Sequence, residues 1–84
     1  MNGPLREYDV VRVARLDAPS RYFSGTKGVS RPPRIGDEAI ICHQYDSRDP
    51  KTAVAVEMVD PEGRTVWLAD FLPDELELVS HTAR

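Results

Sequence analysis

Thr52 to Asp70, reading TAVAVEMVDPEGRTVWLAD, carries the pattern that decides the fold. Val54, Val56 and Met58 fall on one parity and Ala53, Ala55 and Glu57 on the other, the period of two of a β-strand with small residues on its second face. Asp60-Pro61-Glu62-Gly63 follows, with proline at the second turn position and glycine at the fourth, which is the chemistry of a type I turn closing a hairpin. Arg64 to Asp70 is then the returning strand. Val66 and Leu68 are expected to share the inner face with Val54, Val56 and Met58, while Thr65 and Trp67 alternate onto the other.

Outward from the hairpin the chain stays short-stranded. Asp37 to Tyr45, DEAIICHQY, is apolar at its centre and lies between the turn pair Gly36-Asp37 and the polar run Asp46-Ser47-Arg48-Asp49-Pro50, so it reads as a strand. Tyr8 to Leu16, YDVVRVARL, reads as another. Its polar residues Asp9, Arg12 and Arg15 recur every three positions and would also fit a helical stripe, but its valines and short length favour the strand. Phe71 to Leu76 suits a single 3₁₀ turn, Glu75 to Val79 alternates again as a last strand, and residues 80–84 read as a flexible tail. Between the first two strands Asp17 to Gly36 holds three prolines and three glycines and no sustained period, a loop longer than compact domains usually carry.

Composition bounds the rest. A chain of 84 residues makes one domain, with its core expected over about residues 5–79. Hydrophobic content of 40% with 30% charged residues is that of a globular domain. The single cysteine, Cys42, excludes an internal disulfide, and no stretch reads as a signal peptide or a membrane span, so a cytoplasmic protein is expected. The net charge of −3 is unevenly spread. Ala18 to Arg34 holds Arg21, Lys27, Arg31 and Arg34 and no acid, so the remaining chain carries 14 acids against seven bases.

All-β order with one long loop and a 3₁₀ turn before the last strand is the layout of a small five-stranded SH3-like barrel. Tyr8-Asp9-Val10-Val11, Gly36-Asp37-Glu38-Ala39-Ile40-Ile41, Glu57 to Thr65 across the hairpin and the closing Leu72-Pro73-Asp74-Glu75-Leu76-Glu77-Leu78-Val79 resemble a bacterial family of small proteins, domain-of-unknown-function family 4926. The resemblance spans the chain except the loop from Asp17 to Arg34, which is longer here, and Ala39 stands where glycine is common in the family. It implies the SH3-like fold and no catalytic residues, and it hints at a partner-binding role beside toxin or stress-response proteins, such as toxin neutralisation. A weaker similarity is to the SH3-like part of nitrile hydratase β subunits, where a basic, proline-bearing loop also precedes the glycine that starts the second strand. That likeness implies an accessory subunit of an enzyme assembly.

No motif in the chain calls for an enzyme, a cofactor or a metal. Cys42 and His43 are neighbours on a strand and are expected to point to opposite faces, and with His81 in the tail zinc would lack its ligands. Asp37-Glu38 and Asp74-Glu75 read as turn and 3₁₀ acids rather than as an acid–base pair. Ser24-Gly25-Thr26-Lys27-Gly28 lacks phosphate-loop spacing. The loop supplies the candidate partner-binding residues instead: Arg21, Tyr22, Phe23, Lys27, Arg31 and Arg34, with Trp67 beside them. Three readings stand for that loop. Tyr22 and Phe23 fold onto the sheet while the charges are solvated; or its guanidinium forks dock on an acidic protein surface; or it binds single-stranded nucleic acid by stacking and phosphate contact. Trp67, like Tyr8 and Tyr45, is either a packing residue or part of an exposed aromatic patch. The acidic pI near 5.2 weighs against a long polyanion, leaving a protein-binding module as the leading expectation. Edge strands permit self-association, and the sequence fixes no stoichiometry.

Overall fold

The computed structural model describes residues 5–17, 21–46, 48–49 and 51–81. Ala18, Pro19 and Ser20 of the loop, Ser47 and Pro50 of the polar run and residues 82–84 of the expected tail lie outside them. Five strands, β1 (Val10–Val13), β2 (Glu38–Gln44), β3 (Val54–Val59), β4 (Thr65–Phe71) and β5 (Leu76–Ser80), form one antiparallel sheet in the order β4-β3-β2-β1-β5, with a 3₁₀ turn over Pro73–Glu75 leading into β5.

The hairpin forms where its turn chemistry places it. Gly63 N–H donates to the Asp60 carbonyl at 2.9 Å and Gly63 takes φ +84°, a conformation that a residue with a Cβ adopts at a cost. The Asp60 side chain accepts from the backbone N–H groups of Glu62 and Arg64, both at 2.9 Å, which ties the turn off locally. Register slips between Met58 and Val59, and beyond that bulge Met58 pairs with Trp67, Val56 with Ala69 and Val54 with Phe71.

That register corrects the expected faces of β4. Even positions of β3 meet odd positions of β4, so Trp67, Ala69 and Phe71 turn inward and Leu68 and Asp70 outward. Trp67 and Phe71 are fully buried, while Leu68 is 37% exposed. They join Val11, Val13, Ala39, Ile41, Val54, Val56 and Leu76 in one core cluster. Val66 is buried as well, next to where Gly25 and Arg31 meet its backbone.

β1 is shorter than its valine-rich pattern suggests. Ahead of it, Arg6 to Asp9 turn back on themselves, with Asp9 N–H on the Arg6 carbonyl and the Asp9 carboxylate on Arg6 N–H. After Val13, the N–H groups of Ala14 and Arg15 leave the ladder for the Glu75 carbonyl. The expected tail also needs correcting: Ser80 belongs to β5, and His81 Nδ1 lies 2.9 Å from a carboxylate oxygen of buried Asp9.

The described part of the long loop is bound to the sheet. Ser24 and Leu68 exchange both backbone hydrogen bonds, at 3.1 and 2.7 Å, Thr26 N–H donates to the Thr65 carbonyl and Arg31 N–H to the Val66 carbonyl. Residues 24–31 thus lie along the outer edge of β4 as a strap, satisfying backbone groups that an open edge would expose. Gly25 is where strap and strand come closest: a Cβ there would sit 2.7 Å from the Val66 carbonyl oxygen and 2.7 Å from Ser30 Cβ. Gly25→Ala is therefore expected to cost about 1–3 kcal/mol through overpacking against backbone. A urea midpoint unchanged from the parent chain would show that the strap is not seated this closely.

Candidate functional site

The loop's arginines are the residues that sequence reasoning offered to a partner, and two of them are spent within the chain. Arg21 forks onto Glu75, Nη1 reaching Oε1 at 3.2 Å and Nη2 donating to Oε2, and Nη1 also donates to the Asp70 carbonyl at 2.8 Å. Its guanidinium lies 4.2 Å from the centre of the Phe71 ring, a cation–π placement. Only 9% of the Arg21 side chain and 2% of that of Glu75 remain exposed. Glu75 also accepts from the backbone N–H groups of Leu72 and Asp17 at 2.9 and 2.8 Å. Burial pushes the Glu75 carboxyl up, but the Arg21 fork and these two N–H groups outweigh it and hold the group below the ordinary carboxylate range.

Arg31 makes the second fork, donating to Asp37 Oδ2 at 2.8 Å and Oδ1 at 3.0 Å. Asp37 Oδ2 further accepts from Trp67 Nε1 and from Arg34 N–H, both at 2.9 Å. Burial raises the Asp37 carboxyl; Arg31, then the indole and backbone donors, lower it further, and the net shift is downward. Trp67, proposed as a docking residue, is thus a core residue whose one polar atom is tied to the strap. Phe23 is half-buried against the core. Lys27, in the turn at the tip of the strap, and Arg34 keep exposed side chains.

The loop's other aromatic residue is placed differently. Tyr22 is 83% exposed and stands at a groove of about 330 Å³ on the outward face, walled by Tyr45, Leu68 and Ala55, with Arg21 and Asp70 at its polar side. Tyr45, 52% exposed, donates its hydroxyl to Asp70 Oδ1 at 2.6 Å, and that hydrogen bond raises the phenol pKa, so the hydroxyl stays protonated. The His43 ring meets Tyr45 edge-on at 5.2 Å. Arg21 is anchored on Glu75, the Leu68 backbone on Ser24 and the Tyr45 hydroxyl on Asp70. A surface pocket with aromatic and aliphatic walls is suited to receive an apolar side chain.

Cys42 and His43 do not fit the alternation expected of them. Register shifts between Ile41 and His43, and both side chains lie on the outward side, Cys42 near Glu57 and His43 near Glu7 and Tyr45. They share no partner. Burial, then the Glu57 carboxylate, raises the Cys42 pKa, which keeps it a thiol and a poor nucleophile. Among the described residues no group of three or more His, Cys, Asp or Glu side chains is placed to hold a metal ion, and no helix is long and apolar enough to cross a membrane.

Glu75 and Asp37, the hubs of both forks, were not offered by sequence reasoning as site residues. Arg21 lies 54 positions from Glu75, so no local pattern joins them; Arg31 and Asp37 are six apart, bracketing the turn at Gly36. Comparison of the chain with family models, curated proteins and solved structures returned no match.

Proposed function

We propose that the chain is a non-enzymatic protein-binding module on a small SH3-like barrel, and that its docking seat is the Tyr22–Tyr45–Leu68 groove rather than the loop's arginine forks. The barrel reading is supported by the strand order, with β1 paired to both β2 and β5, and by register shifts at Val10/Val11, Ile41/His43 and Met58/Val59, where strands bend. The resemblance to family 4926 belongs to the same proposal.

The observation that carries the reading is Tyr22, a ring 83% exposed at the mouth of the groove. Exposed aromatic anchors beside a desolvated pocket dominate protein interfaces. Lys27 and Arg34 leave the module a modest preference for acidic partners, weaker than four free bases would give.

Affinity capture from native lysate tests this. The parent chain is expected to retain a protein in nuclease-treated lysate, and Tyr22→Ala with Tyr45→Ala to weaken that retention at least about tenfold while circular dichroism stays unchanged. Undiminished retention by the double variant would reject the groove. Loss of all capture on nuclease treatment would favour nucleic acid instead.

A further inference from the structure

We infer that the outward face carries a second, separate recognition groove, for a short partner segment that presents an aliphatic side chain flanked by lysine or arginine. The groove has a volume of about 370 Å³ and lies across β1, β2 and β3, with Tyr8, Val10, Ile40 and Val59 as apolar walls and Glu38 and Glu57 as its charged residues. Tyr8, Ile40 and Val59 are 47%, 42% and 45% exposed, so the groove presents large apolar groups to solvent.

Two observations point to a ligand rather than to incidental exposure. Tyr8 takes φ +71°, a left-handed conformation that is costly for a bulky residue, and its N–H is fixed to the Ile41 carbonyl at 2.7 Å. The backbone is thus held in a strained form with the ring at the groove's edge. Both charged lining residues are also acids, and Arg12, the partner of Glu38 at 2.8 Å, is shared with Glu77 at 2.9 Å. The rim is therefore left with excess negative charge, which favours an approaching cation.

A second copy, which also offers the exposed pair Arg34-Ile35, would instead give shifts that grow with protein concentration alone. Arg12, Arg15, Arg21, Arg31, Arg48 and Arg64 are each already paired with an acid of their own chain. A partner with uncommitted cations next to an aliphatic residue fits both wall and rim.

The test is a ¹H–¹⁵N NMR titration of the full chain with a short, end-capped peptide of alternating lysine and leucine, and with its glutamate–leucine counterpart. Saturable shifts of the Val10, Ile40, Cys42 and Val59 amides are expected with the lysine peptide alone. Glu38→Lys should weaken binding about fivefold and Ile40→Ala by a similar factor, with both spectra otherwise retained. Tyr22→Ala with Tyr45→Ala should leave this binding unchanged, so the two grooves fail or stand separately. Equal shifts with the glutamate peptide, no shifts, shifts centred on Tyr22 and Tyr45, or shifts that appear on concentrating the protein without peptide would each overturn the inference.

Discussion

Glu75→Ala is expected to cost about 3–5 kcal/mol, because it strands the Arg21 guanidinium in a site that is 9% exposed and removes the acceptor for two backbone N–H groups. In a domain of this size that is most of the folding free energy, so the variant should be largely unfolded at room temperature by circular dichroism. Glu75→Gln keeps two polar atoms in place but not the charge, and should fall between the two. A Glu75→Ala urea midpoint close to that of the parent chain would mean that the pair is not buried in solution. The same carboxylate sets a pH dependence. Its folded pKa is held below the ordinary value, as is that of Asp37, so both contribute stability in full above the unfolded carboxylate range near pH 4. That stability declines as pH falls through and below this range. Acid unfolding should therefore begin below about pH 4, and Glu75→Gln should flatten the acid limb.

Trp67→Ala is expected to cost about 3–5 kcal/mol as well, by a different route. The fully buried indole packs at 5.4 Å against Phe71, and its removal leaves a cavity in the centre of the core. It also leaves Asp37 without one of its donors. Trp67→Phe separates the two effects: it keeps an aromatic ring and loses the Nε1 bond to Asp37, and should cost about 1–3 kcal/mol. As the chain's one tryptophan, Trp67 also reports on itself. Its emission should be blue-shifted in the folded protein and shift red on unfolding in step with circular dichroism. Red-shifted native emission would place the indole in water, where a docking residue would be.

Much of the fold was legible because its signals are local. The alternation of Val54, Val56 and Met58, the Asp60-Pro61-Glu62-Gly63 turn and the 3₁₀ turn before β5 each depend on a few adjacent residues. What could not be read depends on pairing across the chain. The parity of Trp67 and Leu68 follows from the register across the hairpin and its bulge at Met58/Val59, where one residue of slip exchanges the two faces. The roles of Arg21 and Glu75 depend on a contact between distant segments, and an acid in a 3₁₀ turn otherwise resembles any solvated acid. Arg31 and Asp37 flank a proline-bearing turn, and closing that turn brings the fork together, but the Trp67 donor arrives from another strand.

The candidate site divides along the same line. The loop from Ala18 to Arg34 stood out in the sequence by its charge and its two rings. Which residues face solvent was not. Arginine is suited both to binding a partner's carboxylate and to binding one's own, and here the chain's own acids hold two of the loop's four bases. Tyr22 and Phe23, adjacent in sequence, separate into an exposed ring at the groove and a half-buried one against the core.

Residues 24–31 of the basic loop are a strap fixed along β4, not a free arm. Native-state hydrogen exchange tests this directly at the amides of Ser24, Thr26 and Arg31, whose N–H groups bond to the Leu68, Thr65 and Val66 carbonyls. These three should exchange as slowly as the amides that pair β3 with β4, and all of them should be released together in Glu75→Ala. Exchange at the unprotected rate at Ser24, Thr26 and Arg31, with β3 and β4 still protected, would contradict it.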